Sequence, residues 1–213
     1  MPTASLSNFT VPLAAGGQSN SNQGLLMPKL AYRFRVTLTN FGATPGFSTE
    51  LTKQVMMVDR PKPSFEEIKL DVYNSTVKLA GRHKFEDIKL KLRDDMTNAV
   101  TTLVGQQMQS QFDFYEQSSA SSGQDYKFTM YIEILDGGNG SYGPITLETF
   151  ELQGCWIKVV TYDGGDYSKA TDPLTMELTI CYDNAVQTQF VGGGLIGLGA
   201  PVGRTNGTNS IGS

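Results

Sequence analysis

The residues of this chain that could carry out chemistry do not combine into an active site. Gly192–Gly197 matches the pattern G-x-G-x-x-G of a dinucleotide-binding loop. Such a loop lies at the start of a helix, and an acidic residue follows it about 20 residues later. Only 16 residues follow Gly197, and none of them is acidic. His83 is the only histidine, which excludes a His-rich metal site, and we interpret it as a turn residue. The sequence therefore predicts a protein that is not an enzyme and that binds no cofactor or metal.

Three pairs of neighbouring carboxylates and two acidic segments also invite a catalytic or metal-binding interpretation. Adjacent residues on a strand point to opposite faces, so Glu66–Glu67 and Glu86–Asp87 are poor acid–base pairs. Asp94–Asp95 is better suited to the start of a helix. The Gly-rich segments Asp136–Pro144 and Asp163–Asp172 lack the full ligand spacing of a calcium loop. Their composition predicts turns instead.

Charge is confined to the middle of the chain. All but one of the charged residues lie between Lys29 and Asp183. Uncharged ends rich in Gly, Ser, Asn and Thr, with scattered apolar residues, suit arms that become ordered against another protein surface. We therefore predict an N-terminal arm at residues 1–28, a folded domain at 29–185 and a Gly-rich C-terminal arm at 186–213. The arm residues expected to act as anchors are Phe9, Val11, Leu13, Phe190, Leu195 and Ile196.

Alternation of apolar and polar residues dominates the predicted domain and indicates strands. The clearest alternating runs are Leu30–Leu38, Phe85–Arg93, Tyr126–Leu135 and Leu174–Tyr182. Further candidate strands are Lys53–Val58, Phe65–Tyr73, Thr76–Ala80, Ile145–Leu152 and Cys155–Tyr162. Cys155 and Cys181 lie inside such runs, which predicts buried free thiols. Many strands separated by turns predict a mainly β domain that forms a β-sandwich or barrel.

One helix, at about residues 97–116, interrupts the strands. Its apolar residues recur at helical spacing: Val100, Leu103, Val104, Met108, Phe112 and Tyr115. Asp94 and Asp95 precede it and can accept hydrogen bonds from its first backbone N–H groups. We expect this single flanking helix to cover one edge or face of the sheet.

Nine segments of the chain stand out when they are taken in order: Met27–Val36, Gln54–Pro61, Phe65–Ile68, Tyr73–His83, Phe85–Ile88, Leu92–Asp95, Gln111–Phe114, Leu147–Trp156 and Leu178–Ala185. No segment is diagnostic alone, but their order and spacing across residues 28–185 are specific. Together they resemble the tail tube proteins of contractile-tailed bacteriophages.

The resemblance implies a structural virion protein with no catalytic residues. In this family six subunits form a ring, and rings stack into a hollow tube that conducts the genome inside a contractile sheath. The fold is similar to that of the type VI secretion tube protein. The implied partners are other copies of the chain, the sheath protein, baseplate initiator and tail-terminator proteins, and, in the lumen, the tape measure protein and genomic DNA bound without sequence specificity. The implied location is the phage tail, after synthesis in the bacterial cytoplasm.

Two surfaces are predicted to serve this assembly. The region Asp59–Gly81 has a stiff, proline-containing start, and we expect a projecting hairpin that bridges rings, the alternative being an ordinary hairpin within one subunit. Its candidate contact residues are Asp59, Arg60, Pro61, Pro63, Asn74 and Ser75. An acidic sheet face that lines the lumen would not bind DNA phosphates. Its candidate lumen-facing residues are Glu133, Glu148 and Glu151.

Two other functions stay open at this point. A tube-initiating protein of the baseplate shares the fold but caps the tube instead of extending it. A carbohydrate-binding β-sandwich of a tail appendage is a different class, for which Tyr142, Tyr162 and Tyr167 near Gly-rich turns supply aromatic rings. The chain has no basic segment followed by a long apolar run at its start, and no apolar stretch of about 18 residues. We therefore expect no signal peptide and no contact with a membrane.

Overall fold

The computed structural model describes residues 28–42, 49–136, 143–168 and 171–189, and this part of the chain is mainly antiparallel β-structure. Two α-helices, α1 (Thr49–Gln54) and α2 (Ala99–Gln111), and a short 3₁₀ turn at Gly123–Asp125 accompany the strands. The strands are β1 (Phe34–Thr39), β2 (Val55–Val58), β3 (Pro63–Val72), β4 (Ser75–Phe85), β5 (Ile88–Arg93), β6 (Phe112–Asp113), β7 (Ser118–Ser119), β8 (Phe128–Leu135), β9 (Thr146–Tyr162), β10 (Thr175–Cys181) and β11 (Asn184–Gln189).

Seven of these strands form two sheets that share β9. The first part of β9 lies between β8 and β11, and β1 pairs with the far side of β8. We call these four strands sheet A. The last part of β9 pairs with β10, which is followed by β5 and β2; we call this sheet B. The order β1-β8-β9-β10-β5-β2, with β11 beside β9, confirms the predicted mainly β fold with a flanking helix.

Both sheets turn an apolar face towards one core. In β8 every second residue from Phe128 to Ile134 is buried, and in β5 and β10 the same alternation buries the apolar residues and exposes the charged ones more. Successive side chains of a strand point to opposite faces, so this alternation gives each sheet one apolar face. The core residues contributed by β5, β8 and β10 are Ile88, Leu90, Leu92, Phe128, Met130, Ile132, Met176, Leu178 and Ile180.

Gly154 lies within β9 at the place where the strand changes partners. Its φ is +67°, a left-handed conformation that glycine adopts without strain. A Cβ atom at this position would overlap the side chain of Asp183. The backbone N–H of Asp183 donates to the Gln153 carbonyl over 3.0 Å, and its carboxylate accepts from Lys127 Nζ over 2.6 Å. The two strands predicted at 145–152 and 155–162 are therefore a single strand, because Gly154 allows it to bend without ending.

Helix α2 is shorter than the predicted 97–116. It begins after Asn98, which has a left-handed φ of 55°, and ends at Gln111, because the next residue, Phe112, has an extended backbone with a φ of −152° and a ψ of 123°. The prediction that Phe112 and Tyr115 belong to the helix is wrong, since Phe112 lies in β6 and Tyr115 lies in the turn between β6 and β7, with its side chain 95% exposed. Asp95 does serve the helix start, because its Oδ1 accepts from the Ala99 N–H over 3.2 Å.

Two glutamines join α2 to the backbone of neighbouring segments, namely β9 and the loops beside β1 and β8, which the apolar spacing did not predict. The Gln107 amide is 1% exposed; it accepts from the Gly42 N–H over 2.9 Å and donates to the Tyr126 carbonyl over 2.5 Å. The Gln111 amide donates to the Ile157 carbonyl and accepts from the Ile157 N–H, both over 2.9 Å. These side chains satisfy backbone groups that would otherwise be buried without a partner.

The remaining sequence predictions have mixed outcomes. Both thiols are free, but only Cys155 is buried, and burial raises its pKa to about 12; Cys181 is half-buried. The interpretation of His83 as a turn residue is wrong, since it lies inside β4 opposite Phe65. Strand β11 runs to Gln189, across the boundary predicted after residue 185. None of the helices in the described ranges is long and apolar enough to cross a membrane.

Candidate assembly surfaces

Strands β3 and β4 form a separate two-stranded sheet. The strands are 10 and 11 residues long, which corresponds to a length of about 30 Å. Val72 pairs with Ser75, so the turn consists of Tyr73 and Asn74, and Tyr73 has a left-handed φ of 44°. Almost every residue of both strands is exposed. The hairpin expected within Asp59–Gly81 therefore exists, extends to Phe85 and turns one residue earlier than the predicted Asn74–Ser75 position.

The outer part of this hairpin has one apolar face. Five side chains point to it, and each remains between 45% and 54% exposed: Ile68, Leu70, Val72, Val77 and Leu79. The pairs Ile68 with Leu79 and Leu70 with Val77 lie directly opposite one another. We call these five residues the apolar hairpin face. Its alternating pattern is visible in the sequence, but nothing in the pattern reveals that the face lacks a covering layer.

The other face of the hairpin is charged. Lys78 Nζ lies 3.0 Å and Lys69 Nζ 4.0 Å from Glu67 Oε1, so one carboxylate faces two ammonium groups. On the same face Thr76 donates to Asp71 over 3.0 Å. These groups keep one side of the hairpin hydrated, while the opposite side presents hydrocarbon to water. Such an arrangement is typical of a sheet that packs against another surface on one side only.

The root of the hairpin is held against the sheets. The Asp59 N–H donates to the Lys89 carbonyl over 3.0 Å, and the Glu86 N–H donates to the Lys62 carbonyl over 3.2 Å. The rings of Phe85 and Tyr182 have centroids 5.3 Å apart. These contacts join the root to the start of β5 and to the end of β10.

The predicted inter-ring residues fall at the two ends of the hairpin and do not form one patch. Asp59, Arg60 and Pro61 precede its root, with Pro61 buried and Arg60 exposed, and Pro63 begins β3. Asn74 lies in the turn and Ser75 begins β4, a full strand length away. The apolar hairpin face between them is the surface that the sequence prediction missed.

The outward face of sheet A carries Glu133 and Glu151 but not Glu148. Arg35 Nε donates to Glu133 over 2.5 Å, and Tyr131 lies opposite Glu151 in the β8–β9 ladder. Partial burial, together with Glu151, raises the pKa of Tyr131. The prediction that the three glutamates share a face is wrong: Glu148 is 5% exposed on the core side of β9, where Gln187 donates to it. The cause is their spacing: positions 148 and 151 are three residues apart on one strand, so their side chains point to opposite faces.

The other predicted residues lie outside the described residues or remain apart from these surfaces. The six arm anchors (Phe9, Val11, Leu13, Phe190, Leu195 and Ile196), the Gly192–Gly197 segment and Tyr142 lie outside the described residues. Tyr167 is fully exposed in the turn after β9, where Asp166 accepts from the Ser168 N–H over 2.9 Å. Within the described ranges, no cluster of His, Cys, Asp and Glu has the arrangement of a metal site.

Comparison with known proteins bears on the fold. No protein-family model and no curated protein sequence matches this chain. A chain of the anti-feeding prophage tube-terminating cap, solved by cryo-EM, has a TM-score of 0.58 at 14% identity and covers 81% of this chain and 99% of its own. A chain of the anti-feeding prophage baseplate has a TM-score of 0.57 at 13% identity, covering 78% of this chain and 98% of its own.

A third similar structure is the extended sheath–tube complex of the extracellular contractile injection system PVC. One of its chains has a TM-score of 0.51 at 15% identity and covers 76% of this chain and 92% of its own. The fold of this chain is therefore similar to that of chains found in contractile injection particles. At such low identity the likeness concerns the path of the backbone, so the role of each surface has to be argued from the residues of this chain.

Proposed function

We propose that this protein is a structural subunit that assembles into stacked hexameric rings, the inner tube of a contractile phage tail. The observation that carries the proposal is the apolar hairpin face, which projects into water on a fold shared with contractile injection proteins. Hydrophobic surface of this kind marks a protein–protein interface. A two-stranded hairpin is also only marginally stable alone in water, so a covering partner stabilises the hairpin as well.

The partner that covers the apolar hairpin face is a second copy of the chain. Burying the exposed halves of Ile68, Leu70, Val72, Val77 and Leu79 would contribute on the order of 5 kcal/mol. A contact between a projecting hairpin and a different surface of the next subunit is heterologous, and contacts of this type build rings or filaments. The charged hairpin face then remains in water. The uncharged N-terminal arm at residues 1–28 and the part of the C-terminal arm that follows β11, residues 190–213, supply additional contacts in this proposal.

Lateral association can use the ends of the sheets. Strand β1 has only β8 as a neighbour and β2 has only β5 among the described strands, so each offers one edge to another chain. Pairing of such edges between copies removes exposed backbone groups and closes a ring.

The outward face of sheet A is our candidate for the lumen wall. It presents Glu133 and Glu151, and its one arginine, Arg35, is already paired with Glu133. A wall without free cations releases no counterions on contact with DNA and so does not hold it. Neutralising the two carboxylates in a Glu133→Gln, Glu151→Gln double variant should therefore slow DNA ejection. Unchanged ejection kinetics would remove sheet A from the lumen.

The remaining partners follow from the tube role. A tube of this kind would contact the sheath outside, a baseplate initiator at one end and a terminator at the other, with the tape measure protein and genomic DNA inside. Assembly would take place in the bacterial cytoplasm before release of the particle. A tube initiator is the alternative; it would form rings that do not stack, so electron microscopy of the purified protein separates the two.

The hairpin itself provides the test of self-assembly. Leu70 and Val77 form a cross-strand pair on the apolar face, and Lys69 and Lys78 form the adjacent pair on the charged face. The Leu70→Ser, Val77→Ser double variant should remain monomeric by light scattering and negative-stain microscopy, with a melting temperature close to that of the dilute wild-type monomer. The Lys69→Ser, Lys78→Ser control should form rings and tubes as the wild type does. A wild-type protein that stays monodisperse, or an apolar-face variant that still forms tubes, would contradict the proposal.

A further inference from the structure

The root of the hairpin and the turn between β9 and β10 lie at opposite ends of sheet B. Strand β5 crosses this sheet from Ile88 to Arg93. The hairpin ends at Phe85, just before the first end of β5. Directly after the other end, the Asp94 N–H donates over 3.0 Å to the carbonyl of Leu174, the last residue of the β9–β10 turn. One subunit therefore projects a hairpin from one end of sheet B and presents the β9–β10 turn at the other.

The β9–β10 turn encloses an open cavity of about 450 Å³. This volume lies within the usual range of pockets that receive a ligand. Tyr167 is fully exposed and Leu174 is 53% exposed, so the apolar part of the cavity is accessible from outside. The lining combines three carboxylates with three apolar side chains: Asp163, Asp166, Asp172, Tyr167, Pro173 and Leu174.

One carboxylate of this cavity has no partner within the described ranges. Asp163 accepts from Thr175 Oγ1 over 3.1 Å, and Asp166 accepts from the Ser168 hydroxyl over 2.8 Å. Asp172 forms no hydrogen bond or ion pair with another described residue. The cavity therefore offers an unused acceptor together with exposed apolar surface. An aromatic ring that carries a hydroxyl donor matches both features.

Tyr73, at the tip of the hairpin, is a group of this kind. Its side chain is fully exposed, and its φ of 44° is a left-handed conformation that glycine adopts without strain and a bulky residue does not. The side chain thus strains the turn and packs on nothing within its own subunit. The segment Val72–Val77 has no charged residue, so the tip can approach aspartates without repulsion between like charges.

We infer that the Tyr73 ring of one copy docks in the β9–β10 cavity of a second copy, where its hydroxyl group donates to Asp172 and its ring packs on Leu174. This inference rests on the proposed tube function and deepens it, since it names the surface that receives the hairpin. Val72, next to Tyr73, begins the apolar hairpin face, so the same contact continues onto that face. Because the two partners lie at opposite ends of sheet B, the contact is heterologous and links copies head to tail.

A Tyr73→Gly variant separates assembly from stability. Glycine relieves the strained φ, so the melting temperature of the dilute monomer should stay the same or rise. Assembly followed by light scattering should need at least about thirtyfold more protein, as expected when an aromatic anchor of an interface is lost. Tyr115→Gly is the matched control, because it removes another fully exposed tyrosine from a turn; it should assemble at the wild-type concentration.

Two further variants test the hydroxyl bond. Tyr73→Phe keeps the ring and should need about fivefold more protein for assembly, as expected for the loss of one hydrogen bond. Asp172→Ala, at an exposed position, should have a similar effect. The double variant should need no more protein than either single variant, because both remove the same bond. Additive effects would show that the two groups have different partners and would overturn the proposal.

Disulfide cross-linking tests the head-to-tail geometry. The background is Cys181→Ser, in which the remaining Cys155 is buried. Gly165 lines the cavity, and a Cβ atom there meets nothing within 4 Å. A chain with both Asn74→Cys and Gly165→Cys should, after oxidation of the assembled protein, give a ladder of covalent trimers and larger multimers. Each single-cysteine chain should stay monomeric on a denaturing gel.

The outcomes distinguish this proposal from the tube function itself. Wild-type protein that never assembles overturns both. Wild-type tubes together with Tyr73→Gly tubes at the same protein concentration overturn the docking of Tyr73 and leave the tube function standing. The cavity instead receives a terminal arm if Gly165→Cys cross-links to Phe9→Cys or Leu195→Cys and not to Asn74→Cys, and that result also overturns the proposal.

Discussion

The ring of Phe85 packs against the ring of Tyr182, with centroids 5.3 Å apart and planes inclined at 44°. Phe85 is the last residue of the hairpin, and Tyr182 follows directly after β10 in sheet B. This contact therefore couples a projecting, exposed element to the buried core. The direction in which the hairpin leaves the subunit depends on it, and so does the position of the apolar hairpin face relative to a neighbouring copy.

Replacing Phe85 by alanine should loosen the hairpin without unfolding the sheets. Phe85 is half-buried, so we expect a loss of about 1–2 kcal/mol in the free energy of unfolding, less than for a fully buried phenylalanine. Hydrogen exchange should accelerate in β3 and β4 and stay slow in β8 and β10. Phe114→Ala, at an exposed ring, is the control and should change neither. Uniformly faster exchange in all four strands would mean that the hairpin and core unfold together.

Gly154→Ala should be among the most damaging single substitutions in the described part of the chain. The new methyl group overlaps the Asp183 side chain, and the left-handed φ of +67° is itself strained for alanine. We expect a loss of at least ~2 kcal/mol in urea denaturation. Gly164→Ala, where a Cβ meets nothing within 4 Å, is the control. A Gly154→Ala, Asp183→Ala double variant should recover only the part of the lost unfolding free energy that comes from the steric overlap. Complete recovery would show that the left-handed φ contributes nothing to the loss.

The core was predictable from sequence, because one physical rule governs it. A strand with water on one side and hydrocarbon on the other must alternate, so the buried positions of β5, β8 and β10 follow directly from the pattern. Helix ends were less predictable: Phe112 continues the apolar spacing of α2, but its extended backbone ends the helix. The continuity of β9 through Gly154 was also hidden, since a glycine between two apolar runs reads equally well as a turn.

The assembly surfaces were only partly predictable. A hairpin at Asp59–Gly81 could be anticipated from its prolines and turn residues. The exposure of Leu70 and Leu79 could not, because the alternation of apolar and polar residues is the same whether or not another layer covers the apolar face. Glu148 was assigned to the wrong face although the sequence carried the necessary signal, because side chains three positions apart on one strand, such as those of Glu148 and Glu151, point to opposite faces. The contact between Phe85 and Tyr182 joins β4 to the β10–β11 turn across about a hundred residues of sequence, and no local signal connects such distant segments.

Gln107 should be essential to the attachment of α2. Methionine has a similar length, but it would leave the Gly42 N–H and the Tyr126 carbonyl without the partners that Gln107 provides. Leaving two such groups unpaired should cost about 2–4 kcal/mol in the free energy of unfolding. Gln109→Met lies on the exposed side of the same helix and should be nearly neutral in the same thermal melts. Equal melting temperatures for the two variants would show that water replaces the amide.

Cys155 should resist thiol reagents in the folded protein. Burial raises its pKa to about 12, so the reactive thiolate is a very small fraction of the population at pH 8. In a Cys181→Ser variant, an aromatic disulfide reagent should react only as fast as the protein unfolds, and denaturant should restore the full rate. In a Cys155→Ser variant the half-buried Cys181 should react sooner. Rapid modification of Cys155 under native conditions would contradict the burial described here.

Acid should weaken the start of α2 through Asp95. A hydrogen bond from Thr97, with others from the Ala99 N–H and Gln54, lowers the pKa of Asp95 below its usual value, against a smaller opposing effect of desolvation. The sign follows from linkage: a carboxylate with a depressed pKa stabilises the fold above its unfolded pKa of about 3.9, and that contribution is lost as the pH falls through the folded value. Asp95→Asn should therefore lower the melting temperature at pH 7, and the difference from wild type should shrink below about pH 4. Melting curves of the two proteins that stay parallel from pH 7 to pH 2 would show that the ionised form of Asp95 has no special role.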